Sequence, residues 1–418
     1  SRSRAGMRRK AIRTDSEAIS ERRRHRTSTF LMTGGTGFLG SHIAAAMLRR
    51  GFRIILLARP SHQQSAEERV ADLFRWLGLD SPPPEQMWVI EARLDQPDFG
   101  LKKDLYEALR DETDEIIHCA SNTSFSERKR KEMEATNLGS LRRLLDFAAQ
   151  SRCCFFHHMS TAYVAGRKEG TCPEEAVFSE SFNNVYEESK YHGERMISGV
   201  CQEQGIRLNI YRPSIVYGDS RTGKTLRFNA LYYPVRTVLF FKNLFEKDLR
   251  ERDGKRAAAM GVRIDEHGVM HLPIRVEAEE QAGINLIPID YLVDAFLEIM
   301  ETCLEGGLFH IVNRRLVGLR ELADYTRRFF NLEGIEVVPP GSLDGVPKNG
   351  LEVLFDGYLE AYQPYMTDTR RFENEKARKI LAPKHIECPD FDFDLFSVCM
   401  RYGEKSGWGA EHPKVSRG

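Results

Sequence analysis

The sequence predicts an α/β protein, a doubly wound parallel sheet followed by a smaller, mostly helical substrate domain. Three observations predict it. Short apolar runs alternate with helix-length segments from Thr29 to Arg212. A glycine cluster joins the first run to the first helix. Beyond Thr222 the alternation becomes irregular.

Taken in order, residues 1–27 are dominated by arginine, with almost no large apolar side chains, and read as a flexible basic tail. Phe30–Thr33 is a buried strand, Ser41–Leu48 a helix of strong formers stopped by Gly51, and Phe52–Leu57 a second buried strand. Strand, turn, helix and strand within about 30 residues make a βαβ unit. A helix is expected over Ala66–Leu77, strands over Met87–Ala92 and Glu115–Cys119, and a helix over Thr136–Gln150. Strand Cys154–Met159, helix Tyr186–Gln204 and strand Arg207–Arg212 continue the rhythm. The nucleotide-binding and catalytic domain is thus expected over 28–225 and the substrate domain over 226–418, with 284–302 a segment that can return to the first.

Composition excludes several classes. Lysine plus arginine and aspartate plus glutamate each total 61, so the net charge is zero and points to neither nucleic acid nor an anionic membrane as main partner. Hydrophobic residues at 41% suffice for a packed core and exclude global disorder. The 8 cysteines contain no Cys-x-x-Cys pair, so no metal site is expected, and a reduced, cytoplasmic protein is. The most apolar stretch, Leu231–Phe245, is broken by Pro234, Arg236 and Lys242 and is too short to span a bilayer. The wider segment Leu226–Phe245, which adds Phe228, has the character of an acyl tunnel lining, a peripheral membrane contact or ordinary interdomain packing.

Thr33-Gly34-Gly35-Thr36-Gly37-Phe38-Leu39-Gly40 lies between the first strand and the first helix. Glycines there let the backbone approach a pyrophosphate, and the helix aims free N–H groups at it. Gly34, Thr36, Gly37, Phe38, Leu39 and Gly40 are therefore candidate contacts to a dinucleotide in a Rossmann fold. The second strand ends in Leu57-Ala58-Arg59, with no acid for a ribose hydroxyl. Arg59, with Arg69 on the next helix, instead suits the extra phosphate of NADPH.

Tyr186 and Lys190 are four apart at the start of a helix, so both side chains face one site. A nearby ammonium is expected to lower the phenol from its ordinary pKa of about 10. Thr161, just past the Cys154–Met159 strand, is placed to hydrogen-bond a substrate carbonyl, with Ser160 as competitor. Ala120 and Ser121 are small residues that admit a ribose, Asp95 can receive the adenine amino group, and Asn137 can hold a water linked to Lys190.

Taken together, these residues resemble the extended short-chain dehydrogenase/reductase superfamily over Thr29–Val312. Within it, Ser160-Thr161-Ala162-Tyr163-Val164, the Arg212–Gly223 stretch and Asn285–Tyr291 resemble thioester reductases and fatty acyl-CoA reductases. The resemblance implies a catalytic Thr161, Tyr186 and Lys190, with Asn137 completing a tetrad. Thr161 is preferred because it lies five residues before Gly166. Further cofactor contacts follow at Gln96, Pro213, Ser214 and Ile215. The implied activity is NADPH-dependent reduction of an acyl thioester, carried on CoA or on a carrier protein, to an aldehyde or onward to an alcohol. An NAD-dependent sugar-nucleotide epimerase or dehydratase, and a non-enzymatic NADP-sensing or scaffold protein, are the competing readings.

Overall fold

The computed structural model describes residues 15–80, 82–120, 125–410 and 412–413. Its first helix, Ser16–Arg24 (α1), is capped by Asp15, whose carboxylate accepts from the Ala18 N–H at 3.1 Å. The sequence predicts a flexible tail to residue 27, but the described part of that tail, from residue 15, is helical and packed. Arg23 is the reason. Its Nε and Nη2 reach both carboxylate oxygens of Glu115 at 2.9 and 2.8 Å, and its Nη1 donates to the Met300 carbonyl. Burial disfavours the Glu115 carboxylate, yet the Arg23 charge and a hydrogen bond to His157 hold its pKa at about 2. Buried charges of this kind persist only in pairs, so the helix is tied to the base of the sheet.

The sheet forms from short apolar segments that sit between helices on both faces, as parallel strands require. Thr29–Thr33 (β1) leads through Phe38–Arg49 (α2) to Arg53–Ala58 (β2), then through Ala66–Trp76 (α3) to Met87–Glu91 (β3). Glu115–His118 (β4) is followed by a helix from Arg130 whose Glu134–Gly139 stretch is a π-helical turn, continuing as Ser140–Gln150 (α4). Phe155–Met159 (β5), Val185–Gln204 (α5) and Arg207–Pro213 (β6) come next. Beyond Tyr232–Glu251 (α6) and Ile289–Thr302 (α7), Gly307–Ile311 (β7) supplies the last strand. The order is β7-β6-β5-β4-β1-β2-β3, and every pair is parallel. Strand order reverses between β1 and β4, and ligands bind at such a switch point, beyond the carboxyl ends of the strands.

The second layer is discontinuous in sequence. Met270–Glu277 pairs with Leu332–Val338 and with Arg263–Ile264 in a three-stranded sheet. Its core takes in Leu231, Tyr232, Val238, Phe241 and Phe245 from the aromatic segment, together with Phe391 and Phe396 from the C-terminal region. Most of that segment's large side chains are therefore core packing, although Phe240 is exposed. Between these pieces the chain returns to the first layer. The apolar face of α7 shares a core with α2, and β7 pairs with β6 beyond the 302 limit expected from sequence. No helix among the described residues is long and apolar enough to cross a membrane.

Candidate active site

A cavity of about 600 Å³ opens over the switch point. One end is lined by the β1–α2 turn, including Gly34, Thr36, Gly37, Phe38, Leu39 and Gly40. Gly34 has φ +74°, and a Cβ there would lie 2.4 Å from the Ala120 nitrogen. A Cβ on Gly40 would lie 2.1 Å from the Gly34 carbonyl oxygen. These contacts explain why only glycine lets β1 cross so close to β4 and lets α2 start so tightly. No acidic residue occupies the first turn of α2, so its N–H groups remain available to an anion. His118 Nδ1 lies 2.7 Å from Thr33 Oγ1, which also accepts from the Ala120 N–H at 3.4 Å, holding the two strand ends level.

Arg59, Ala120, Pro213, Ser214 and Ile215 also line the cavity. The buried Ser214 hydroxyl has no hydrogen-bond partner among the described residues. Such an orphan on a cavity wall, beside the glycine cradle, fits a dinucleotide. Arg69 does not reach the wall. It is buried behind the loop, where its Nη1 donates to the Arg59 carbonyl, so it supports Arg59. Asp95 and Gln96 are exposed and off the wall, where Ala92 and Leu94 take their place. Ser121 lies outside the described residues.

Thr161, Tyr186 and Lys190 converge at the other end of the cavity. Asn184 caps α5 by accepting from the Glu187 N–H at 3.0 Å, which places Tyr186 and Lys190 on successive turns. The Thr161 hydroxyl accepts from the Tyr163 N–H at 3.3 Å and faces the Tyr186 phenol, whose upward shift it partly opposes. Ser160 is removed from contention by its partner. Its Oγ donates to Glu194 at 2.6 Å, and Arg212 holds the same carboxylate through Nε and Nη2 at 2.8 and 2.6 Å. Asn137 sits in the π-helical turn, buried, with its Nδ2 donating to Ser189 Oγ at 3.0 Å. It braces α5 between Tyr186 and Lys190 and is off the cavity wall, where Thr136 appears instead.

The electrostatics differ from the sequence expectation. Burial, then the Glu187 charge, push the Tyr186 phenol up to about 12. Lys190 does not offset this. Its ammonium donates to the Met159 carbonyl at 2.9 Å and is itself lowered to about 8 by burial. Both groups keep their protons at neutral pH, the phenol as a neutral donor and the amine as a cation.

Sequence reasoning missed the wall facing Tyr186. Phe125, Tyr163, Tyr362 and Tyr365 form it, with Arg227, Asn229 and Ala230 at its edge. Tyr362 and Tyr365 come from the second layer, far along the chain and outside any recognisable motif. Of the Leu226–Phe245 segment, only Arg227, Asn229 and Ala230 reach the cavity.

Switch point, glycine cradle and the Thr-Tyr-Lys cluster together define an NAD(P)-binding protein of the extended short-chain dehydrogenase/reductase type. More narrowly, the chain belongs to the male sterility protein family, whose model matches residues 32–296. It is 34% identical over 144 residues to fatty acyl-CoA reductase 1 of Mus musculus, covering 32% of this chain and 28% of that one. It is 29% identical over 194 residues to the hybrid PKS-NRPS synthetase pvhA of Talaromyces variabilis, covering 46% of this chain and 4% of that one. The chain thus matches under a third of the length of either relative. Among solved structures, the terminal R domain from the myxalamid PKS-NRPS biosynthetic pathway superposes with a TM-score of 0.71 at 21% identity, over 91% of each chain. At that identity the likeness establishes the fold.

Proposed function

We propose that this protein reduces an acyl thioester to an aldehyde with NADPH. The observation that carries the reading is the convergence of Thr161, Tyr186 and Lys190 on a cavity whose far end is the glycine cradle. Male sterility family membership and the partial matches to a fatty acyl-CoA reductase and a PKS-NRPS synthetase support the thioester. Arg59, on the wall where Leu57 and Ala58 offer no acid, supports NADPH over NADH and argues against the NAD-dependent epimerase reading.

Bound NADPH supplies a hydride to the carbonyl carbon. Thr161 orients the carbonyl oxygen by hydrogen bonding. Tyr186, protonated at neutral pH, donates to the oxygen as it gains negative charge, and its proton neutralises it. Lys190 holds a positive charge beneath the same end of the cavity and offers N–H donors to the cofactor ribose. The resulting hemithioacetal loses its thiol as the C–S bond breaks, leaving the aldehyde. A second hydride transfer would take the aldehyde to alcohol. CoA and carrier-protein thioesters share the reacting group and are separated by assay.

The test follows NADPH absorbance with acyl-CoAs and carrier-bound thioesters of several lengths, with product identification. Tyr186→Phe is expected to lower turnover by about 10²–10⁴-fold with NADPH affinity nearly intact. Undiminished turnover in that variant rejects the assignment.

A further inference from the structure

The residue after Tyr186 is a carboxylate sealed from water, Glu187 at 0% exposure. A first-turn acid ordinarily faces solvent, as the neighbouring Glu188 partly does with a side chain 31% exposed. A buried carboxylate persists only when donors surround it. Those of Glu187 come from two directions. Asn183, in the turn before α5, gives its backbone N–H at 2.9 Å and its Nδ2 at 3.2 Å. From the second layer, Tyr365 on the short helix Gln363–Met366 gives its hydroxyl at 2.8 Å. Asn184, the cap of α5, donates its Nδ2 to that same hydroxyl at 2.6 Å. The Tyr365 ring meets Phe125 at 5.6 Å between centroids, and Phe125 meets Tyr186 at 6.0 Å.

We propose that Glu187 and Tyr365 are positioning residues for Tyr186: the second layer clips a buried carboxylate against the first turn of the catalytic helix, one residue from the phenol, and that clip sets the placement and the acidity of the phenol. This rests on the reading of Tyr186 as the acid and extends it to a residue 179 positions away. The physical cause is that a nearby anion disfavours a second one, so the phenolate is penalised. The Arg370 cation offsets this charge only in part, because Asp368 shares it. Facing the cluster are Lys190 on the same helix, Thr161 and Tyr163 beyond β5, and Tyr365, Asp368 and Arg370 from the second layer. Lys190 is turned to the Met159 carbonyl. Arg370 is paired with Asp368 through Nε at 2.9 Å and Nη2 at 2.6 Å.

Glu187→Gln preserves shape and removes the charge. With 3,5-difluorotyrosine at position 186, which brings the titration into an accessible range, ¹⁹F NMR reads the phenol without any substrate. The midpoint is expected to fall by about one unit in Glu187→Gln. Tyr365→Phe, which removes the hydroxyl that bridges Asn184 and Glu187, is expected to lower kcat about tenfold with NADPH affinity unchanged, mainly the effect of one lost hydrogen bond to a charge. An unmoved midpoint in Glu187→Gln, or wild-type kcat in Tyr365→Phe, overturns the inference. Absence of thioester turnover in the wild type rejects the proposed activity alone, because the phenol titration is read independently of it.

Discussion

Lys190 stores an instability that can be measured. Its ammonium is 6% exposed, and burial lowers its pKa from 10.5 to about 8. At about 1.4 kcal/mol per unit, the folded state at pH 7 carries a penalty of roughly 3 kcal/mol relative to an uncharged side chain. The sign follows from proton binding. Between the folded pKa of about 8 and the unfolded value of 10.5, the unfolded chain holds a proton the folded chain has released, so stability rises with pH. By pH 9.5, roughly 2 kcal/mol of the penalty is relieved. Lys190→Met removes the charge, and with it one hydrogen bond to Met159 worth about 1 kcal/mol. The variant is therefore expected to be about 2 kcal/mol more stable at pH 7, a gain of a few degrees in Tm. That margin should vanish by pH 9.5, while turnover is lost throughout. Scanning calorimetry of both proteins at the two pH values is the assay, because other titrating groups cancel in the difference. A variant less stable than wild type at pH 7, or a margin that ignores pH, refutes the picture of a buried, strained ammonium.

Three further outcomes are expected. Gly40→Ala places a Cβ 2.1 Å from the Gly34 carbonyl oxygen, so the cradle must open, and fluorescence titration should show NADPH affinity down by at least about tenfold. Arg59→Ala should weaken NADPH by about 10–100-fold in KM while leaving NADH unchanged, as one charge-assisted contact to a phosphate is lost; equal losses for both cofactors would place Arg59 elsewhere. Ser160→Ala and Thr161→Val should separate structure from chemistry: the first leaves the buried Glu194 carboxylate one donor short and lowers Tm, and the second lowers kcat by about 10²–10³-fold with Tm near wild type.

The second layer contributes more than a wall for the substrate. Its Tyr365 reaches the carboxylate beside the Tyr186 phenol, and its Tyr362 stacks on Tyr233 at 4.7 Å between centroids. Pairing of β7 with β6, and the shared core of α7 and α2, bind the two layers through a chain that leaves the first and returns to it. A substitution in the C-terminal region can therefore disturb the surroundings of Tyr186 without touching the glycine cradle.

The amino-acid sequence by itself determined the parallel sheet, the glycine cradle and the placing of Tyr186 and Lys190 on one helix face, because each rests on local rules. Apolar runs of strand length mark buried strands, glycine spacing marks a close backbone approach, and a four-residue interval puts two side chains on one helix face. Tertiary structure alone decided what those rules cannot carry. Ser160 and Thr161 are adjacent hydroxyls in sequence, and only Glu194 and Arg212, brought in by α5 and β6, show which one is occupied. Arg69 looks like a phosphate ligand until the fold turns it onto the Arg59 carbonyl. The arginine-rich start reads as a solvated tail, yet Arg23 finds Glu115 at a separation of 92 residues. The phenol's protonation follows from desolvation and a buried neighbour, which depend on how many atoms surround a group in space, and residue spacing along a chain does not encode that number.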